Sequence, residues 1–490
     1  MRRIARQMGA VSLLSLLAGA CASTAQISEY SEPGAGFSTV AETTRKATGR
    51  SSVWIQNQEH AESLKKQVHG LVHKKTVSAD TAIQVALLNN RGLQAAYADL
   101  GMSAADVWQQ LLPENPRVSI GTFGIGAPGL DAFRSIEGTV AANILSLATR
   151  KDRVDLADTR FRQAQLRAAE ETLRLAGATR KAWIDAVSGF EAVQVLNQAQ
   201  VAADAASELA EKLGETGALP KAGQAREHVF YAELTGQKAE ARLAARLAKE
   251  ELARLMGLWG DEVDFFVPDQ LPALPGRLAV KDAVEAEALK NRVDLQIARL
   301  ELEAMSKSYR FTEATRYVTD LELIGGLEVE RERDDGETST STTPQFELEF
   351  VIPVFDSGKA RLRKAELAYM RAANLLAERA VNIRSEARSA YTAYRSTHDI
   401  ARHYQTNVLP LRTRIEEEGL LTNNAMFTNT FELLADTRAK TNAMLLAGRA
   451  KRDFWLADAD LSGAIFGGRG AAGGGDSEAI AVADSSGGGH

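Results

Sequence analysis

The single cysteine of this 490-residue chain, Cys21, rules out an intrachain disulfide. Prolines number only 11 and cluster, as do the 38 glycines, so long tracts are left free to be uninterrupted helix. Aromatics make up 6% of the chain and mean hydropathy is −0.21. That is too little apolar bulk for a conventional core at this length, and helix-on-helix packing through small residues fits better. No window of about eighteen apolar residues occurs, so no helix is expected to span a membrane. The net charge of −6 comes without a polybasic block, which argues against nucleic acid as a partner. The seven histidines are scattered, and the glycine-rich pieces neither follow a strand nor open a helix as a phosphate loop must. No enzyme, cofactor or metal centre is therefore expected. His69 and His73, four apart, have a spacing that suits half of a metal site, but no acidic or cysteine partner accompanies them, and a solvated helix face is the preferred reading.

What is present is organised around residues 346–390. Phe346, Leu348 and Phe350 alternate with Glu347 and Glu349, the period of a strand wetted on one face. After Pro353 and Gly358 the period changes. Phe355, Leu362, Tyr369, Leu376, Ile383 and Ala390 lie seven apart, as in a helix packing along its length on other helices. Leu147, Val154, Phe161, Ala168, Leu175 and Ala182 repeat that series at a constant offset of 208 residues. Lys151 and Lys359, Arg153 and Arg361, and Arg180 and Arg388 correspond at the same offset, so the chain is an internal duplication.

Arg2, Arg3 and Arg6 precede an apolar run and then Cys21, the order of a secretory signal. Residues 1–20 read as that signal and Cys21 as a lipidation site, in a context similar to the lipobox of bacterial lipoproteins. Residues 21–77 read as a lipid-anchored, extended tether carrying one short helix at 56–73. The first repeat occupies 78–273 and the second 274–466, joined by the stiff segment PDQLPALPG. Residues 467–490 read as a disordered Gly-rich tail.

In each repeat a helix (81–112, and its counterpart at 281–314) leads into a hairpin. Its strands are expected at about 117–126 and 133–145 in the first copy, and about 319–333 and 344–353 in the second. The polar run 334–343 is expected as the second loop. A helix of some seventy residues follows in the first copy, roughly 100 Å long, and one at 355–418 in the second. Shorter helices at 222–257 and 428–460 complete the repeats. Parity puts Glu322, Glu328, Glu330, Glu347 and Glu349 on one face of the second hairpin, read as a lumen lining that favours cations. Four strands close no barrel, and an open sheet leaves unpaired edges in lipid, so several copies of the chain must contribute to one closed barrel.

Turns at the far ends of the helices are expected at Gly217, Ala218 and Leu219, and at Gly419, Leu420 and Leu421. Glu416, Glu417 and Glu418 precede the second turn. They either oppose the dipole of a helix ending there or sit in a helix that ends a turn later.

With ALLNNRGLQAAYADLG, Asn115-Pro116, IPVFDSGKARLRKAE, the proline-rich linker and Phe431 to Asp436 in this duplicated order, the chain from about 77 to 466 resembles the TolC-type outer-membrane factor family. The resemblance implies a mostly α fold with membrane β: two tandem repeats of helix, β-hairpin, long helix and helix. Three copies would form a twelve-stranded β-barrel continuous with a periplasmic α-helical barrel. It further implies the tip turns as contacts for a periplasmic adaptor (membrane fusion protein), and an inner-membrane transporter of the RND type, or else the ABC type, as partner. Acidic residues after the second tip would close the periplasmic gate. Glu432 matches the first such position, and the second falls on Ala435 with Asp436 one residue late. The implied function is passive conduction, and the acidic lining formed by the five glutamates points to cationic drugs or metal ions as cargo. A type I secretion outer channel and a non-conducting coiled-coil scaffold lipoprotein in the periplasm are the alternatives.

Overall fold

The computed structural model describes residues 24–468 apart from 126–133, 218–219, 279–282, 335–336 and 425–429. Its first part departs from the expected extended tether. Helices α1 (Thr24–Ser31), α2 (Phe37–Thr48) and α3 (Gln58–Val72) occupy most of residues 24–77. The composition is polar, but Leu64, Val68 and Val72 recur every four residues, and that one stripe is enough to bury α3. Asn57 caps α3 by accepting a hydrogen bond from the His60 N–H. Val40 of α2 is buried too, and the rings of Phe37 and Tyr97 meet edge to face at 4.9 Å.

The expected opening helices each divide in two. α4 (Ala79–Asn89) and α5 (Arg91–Leu111) meet at Asn90, whose extended backbone (ψ 120) breaks the run and whose side chain caps α5 at the Leu93 N–H. In the second repeat α8 (Val284–Asn291) and α9 (Val293–Ala314) meet at Arg292 in the same way (ψ 122).

Strands β1 (Arg117–Phe123) and β2 (Ser135–Asn143) run directly into α6 (Ile144–Glu215), whose first turn is capped by Asn143. At 72 residues α6 is about 110 Å long. It is followed by α7 (Lys221–Met256), which Gly257 ends in the left-handed conformation (φ 68). A 3-10 turn, Gly260–Val263, leads into the proline-rich linker, and Phe266 bridges Thr76 in parallel.

The second hairpin is β3 (Leu321–Asp334) and β4 (Glu337–Phe350). Most of the polar run expected as its loop is therefore strand, because threonine, being β-branched, suits a pleated partner. The next helical stretch comprises α10 (Lys359–His403), a π turn (Tyr404–Val408) and α11 (Leu409–Asn424), and α12 (Thr430–Phe466) follows. Phe355, taken as the first of the heptad series, precedes α10 and is fully exposed.

The two repeats pack side by side. At the waist, Trp183 of α6 is buried and donates from its indole N–H to the Val77 carbonyl at 2.8 Å. Around it lie Val85, Val187, Leu252, Met256 and Phe265. Toward the far end of α6 the described core thins to Leu196, Ala199, Ala203 and Leu234.

Candidate functional site

Two places carry the arrangement that function can be argued from: the sheet at one end of the helices and the helix ends opposite it.

The four strands form one antiparallel sheet in sequence order, β1-β2-β3-β4, so the two hairpins are joined through β2 and β3 and both outer strands have a free edge. The register sorts every side chain onto a face. Val118 pairs with Val140, Ile136 with Val329, Ala142 with Leu323, and Leu323 with Leu348, so these lie on one face together with Ile120, Leu327, Phe346 and Phe350. Phe346 (73%) and Ile120 (76%) are more exposed than any apolar side chain in a closed core.

The opposite face carries all five glutamates expected there. Glu322 stands across from Glu349, Glu347 from Ile324, Glu328 from Thr343 and Glu330 from Ser341. Glu137 of β2 stands across from Glu328. Like charges directly opposite each other destabilise a ladder. Three contacts relieve the crowding: Arg117 of β1 pairs with Glu322 at 2.5 Å, Arg134 lies 4.0 Å from Glu330, and the Gln345 amide donates to Glu328 at 2.9 Å. Arg117 was not singled out in the sequence. Its place at the start of β1, on the parity of Ser119, was the available signal.

At the other end, Gly217 takes the left-handed backbone expected of a turn (φ 68), and its N–H reaches the Gly214 carbonyl at 3.1 Å. Ala218 and Leu219 lie outside the described residues. The second turn is not where it was placed. Gly419, Leu420 and Leu421 are inside α11, which continues to Asn424. A glycine inside a helix costs only about 1 kcal/mol, which the rest of the run outweighs. Glu416 is thus within a helix rather than at its end, and it pairs with Lys440 of α12. Glu432 and Asp436 both fall in the first turns of α12, and Asp436 is half-buried. Cys21 lies outside the described residues, as does the tail beyond 468.

One contact between the repeats at this end escaped the sequence reading. Glu227 of α7 is buried, and its carboxylate accepts from the Arg438 guanidinium of α12 at 2.7 Å. That guanidinium also lies 3.9 Å from the ring centre of Phe230. Nearer the middle, the α8–α9 break gathers another charged group. Arg292 forks onto Asp294 and reaches Glu386. Burial works against its charge, but these two carboxylates outweigh it and hold its pKa up. Burial, with the nearby Asp294 charge, pushes the Glu170 carboxyl of α6 above the usual range.

Among the described residues no helix is long and apolar enough to cross a membrane, and no group of three or more potential metal ligands is found. No protein-family model matches the sequence, and no curated protein matches it. Solved structures do. The outer-membrane channel OprN matches with a TM-score of 0.63 at 18% identity, over 86% of this chain and 95% of that one. The Campylobacter jejuni CmeC outer membrane channel matches at 0.62 and 17%, over 84% and 87%. The outer membrane protein VceC from Vibrio cholerae matches at 0.63 and 14%, over 79% and 96%. At these identities the likeness is one of fold: the chain is built as TolC-type outer-membrane channels are.

Proposed function

We propose that this chain is the outer-membrane exit duct of a tripartite efflux system, a passive conduit fed by an inner-membrane transporter through a periplasmic adaptor. One observation carries the reading. The sheet has an exposed apolar face, an acidic opposite face and two free edges, an arrangement stable in lipid only when closed on itself. Three copies, β4 of one against β1 of the next, close a cylinder of twelve strands with the apolar face toward lipid and the glutamates inward. The helices then continue the bore into the periplasm, and the turn at Gly217 and the far end of α11 meet the adaptor. Glu432 and Asp436, in the first turns of α12, serve as gate residues. Cations, whether drugs or metal ions, are the cargo that the acidic lining favours. An RND-type transporter is the preferred partner and an ABC type the other; a type I secretion duct would use the same architecture for protein cargo.

Lipidation of Cys21 fits the course of the N-terminal segment. The Tyr30 hydroxyl donates to Asp158 at 2.9 Å, and Gly36 lies against Phe161, so this segment descends beside α6 from the sheet end. The chain from Cys21 to Tyr30 spans up to about 20 Å with α1 helical. Asp158 sits about 21 Å along α6 from the sheet, a distance comparable to that reach.

The test is planar-bilayer recording on the purified detergent complex, with its mass measured alongside. A trimer with single-channel conductance is expected. A monomer, or a trimer that stays silent even with Glu432→Ala, favours the non-conducting scaffold.

A further inference from the structure

The duplicated halves have unequal surroundings, and the difference leaves two helix faces uncovered. The breaks at Asn90 and Arg292 are equivalent points, so α9 corresponds to α5 at an offset of 202 residues. Ala86 and Ala288, and Leu93 and Leu295, are buried alike at that offset. The long helices correspond at 208, where Ala182 and Ala390 are both buried. α6 is held on two sides, by α5 before it and by α9 of the second repeat. α10 packs on α9 but has no comparable packing on α5 of its own chain. The free sides of α10 and α5 are therefore what the contact between α6 and α9 becomes one repeat further on.

That contact is a polar seam. Gln163 donates to Glu301 at 2.7 Å, Arg162 pairs with Glu303 at 3.2 Å, and Lys307 donates to the Thr159 hydroxyl at 2.8 Å. Thr159, Gln163 and Ala304 are buried in it. One repeat on, the same positions are open. Leu367 stands where Thr159 does and Met370 where Arg162 does, both about half exposed. Met102 stands in the place of Ala304 and is 62% exposed, and Ala105 stands in the place of Lys307. Arg371 replaces Gln163 and Asp99 replaces Glu301; both are exposed, and among the described residues neither takes part in an ion pair. The donor-to-carboxylate pair of the seam is thus kept, in a stronger charged form, on two helices that do not pack together within the chain. Its flanks have turned from polar to apolar.

We infer that α10 of one copy docks on α5 of the next through these faces: Arg371 binds Asp99 of the next copy, while Leu367 and Met370 pack on its Ala105 and Met102. The inference rests on the ring of copies proposed above and adds the seam that chooses the partner. The occupant is a second copy of this chain because each carries one half of the match at either side, in the order that continues α5, α6, α9 and α10 around a ring. The two kinds of seam also discriminate against one another. Arg162 set against Met102, or Lys307 set against Leu367, would be desolvated without the partner it has in the chain.

Asp99→Cys combined with Arg371→Cys is oxidised in the purified full-length detergent complex, whose mass is measured in parallel, and separated on denaturing gels without reductant. Covalent dimers and trimers are expected from this double variant alone; each single variant keeps Cys21 and controls for other thiol pairing. Gln163→Cys with Glu301→Cys should close within one chain and give no oligomer. In a second arm, Asp99→Arg and Arg371→Asp each set like charges across the seam and should speed subunit dissociation about tenfold or more, and the two reversals together should restore it. A complex of trimer mass that shows neither covalent oligomers from the double cysteine variant nor recovery in the double reversal overturns this seam and leaves the ring standing. A monomer overturns both.

Discussion

Arg438→Ala is the perturbation that bears most directly on how the far end of the helices is held. Glu227 is only 4% exposed, and Arg438 spans from α12 to α7 to reach it where the buried apolar core has thinned to four residues. Removing the guanidinium strips a charge-assisted hydrogen bond from a buried carboxylate, about 1.5–3 kcal/mol, and a stacked cation from Phe230, about 0.5–1 kcal/mol. The Arg438 side chain is 35% exposed and the packing around it is sparse, so water can reach the abandoned carboxylate. About 2–3 kcal/mol is therefore the fair figure. If opening of the proposed duct parts α7 from α12 at this end, that shifts the ratio of parted to joined forms about 30- to 150-fold. Planar-bilayer recording reads the shift as open probability. Glu227→Gln should reproduce much of it, and the double variant should add little, since both changes cut one tie. If Arg438→Ala conducts as the wild type does while the Glu227 variant differs from both, the pair is not the tie that holds this end, and the reasoning fails.

Three further outcomes are expected. Gly36→Ala places a Cβ 2.4 Å from Phe161 and imposes a side chain on φ 76; a local loss of about 2–4 kcal/mol should release the segment 24–72, seen as early cleavage in limited proteolysis. Glu170 has a folded-state pKa raised above 4.5, so the native state holds its proton more tightly than the unfolded chain does. Its ionisation therefore costs stability, a cost fully felt above the raised value and absent below 4.5, so Glu170→Gln should raise Tm at pH 7 and leave it unchanged near pH 4. Glu347→Lys with Glu349→Lys reverses charge on the acidic face and should move the cation-to-anion permeability ratio toward anions; an unchanged ratio would place those side chains away from the bore.

Regular features were legible because they repeat. The offset of 208 residues marks the long helices, and two-residue alternation put the five glutamates on one face before any register was known. What escaped was decided by single side chains or by contacts distant in sequence. Asn90 and Arg292 break helices that composition would continue, and they do so because their side chains cap or pair locally. Gly419 looks like a helix end and is not one, since the neighbours that carry α11 past it lie on another helix, as Glu416 and Lys440 illustrate. The helices of residues 24–72 were hidden by polar composition, and only their docking on α4, α5 and α6 makes them worth forming. Arg438 and Glu227 are 211 residues apart and carry no motif.

The joints between strand and helix differ in the two repeats. Asn143 is the last residue of β2 and the cap of α6, so nothing slack separates them. Between β4 and α10 lie residues 351–358, with Pro353 and the left-handed Gly358 among them. In the duct proposed above, torque applied at the distant tips would therefore arrive at the sheet undiminished along one repeat and be absorbed as bending in the other, so that each copy would be coupled to its strands through one drive shaft and one universal joint.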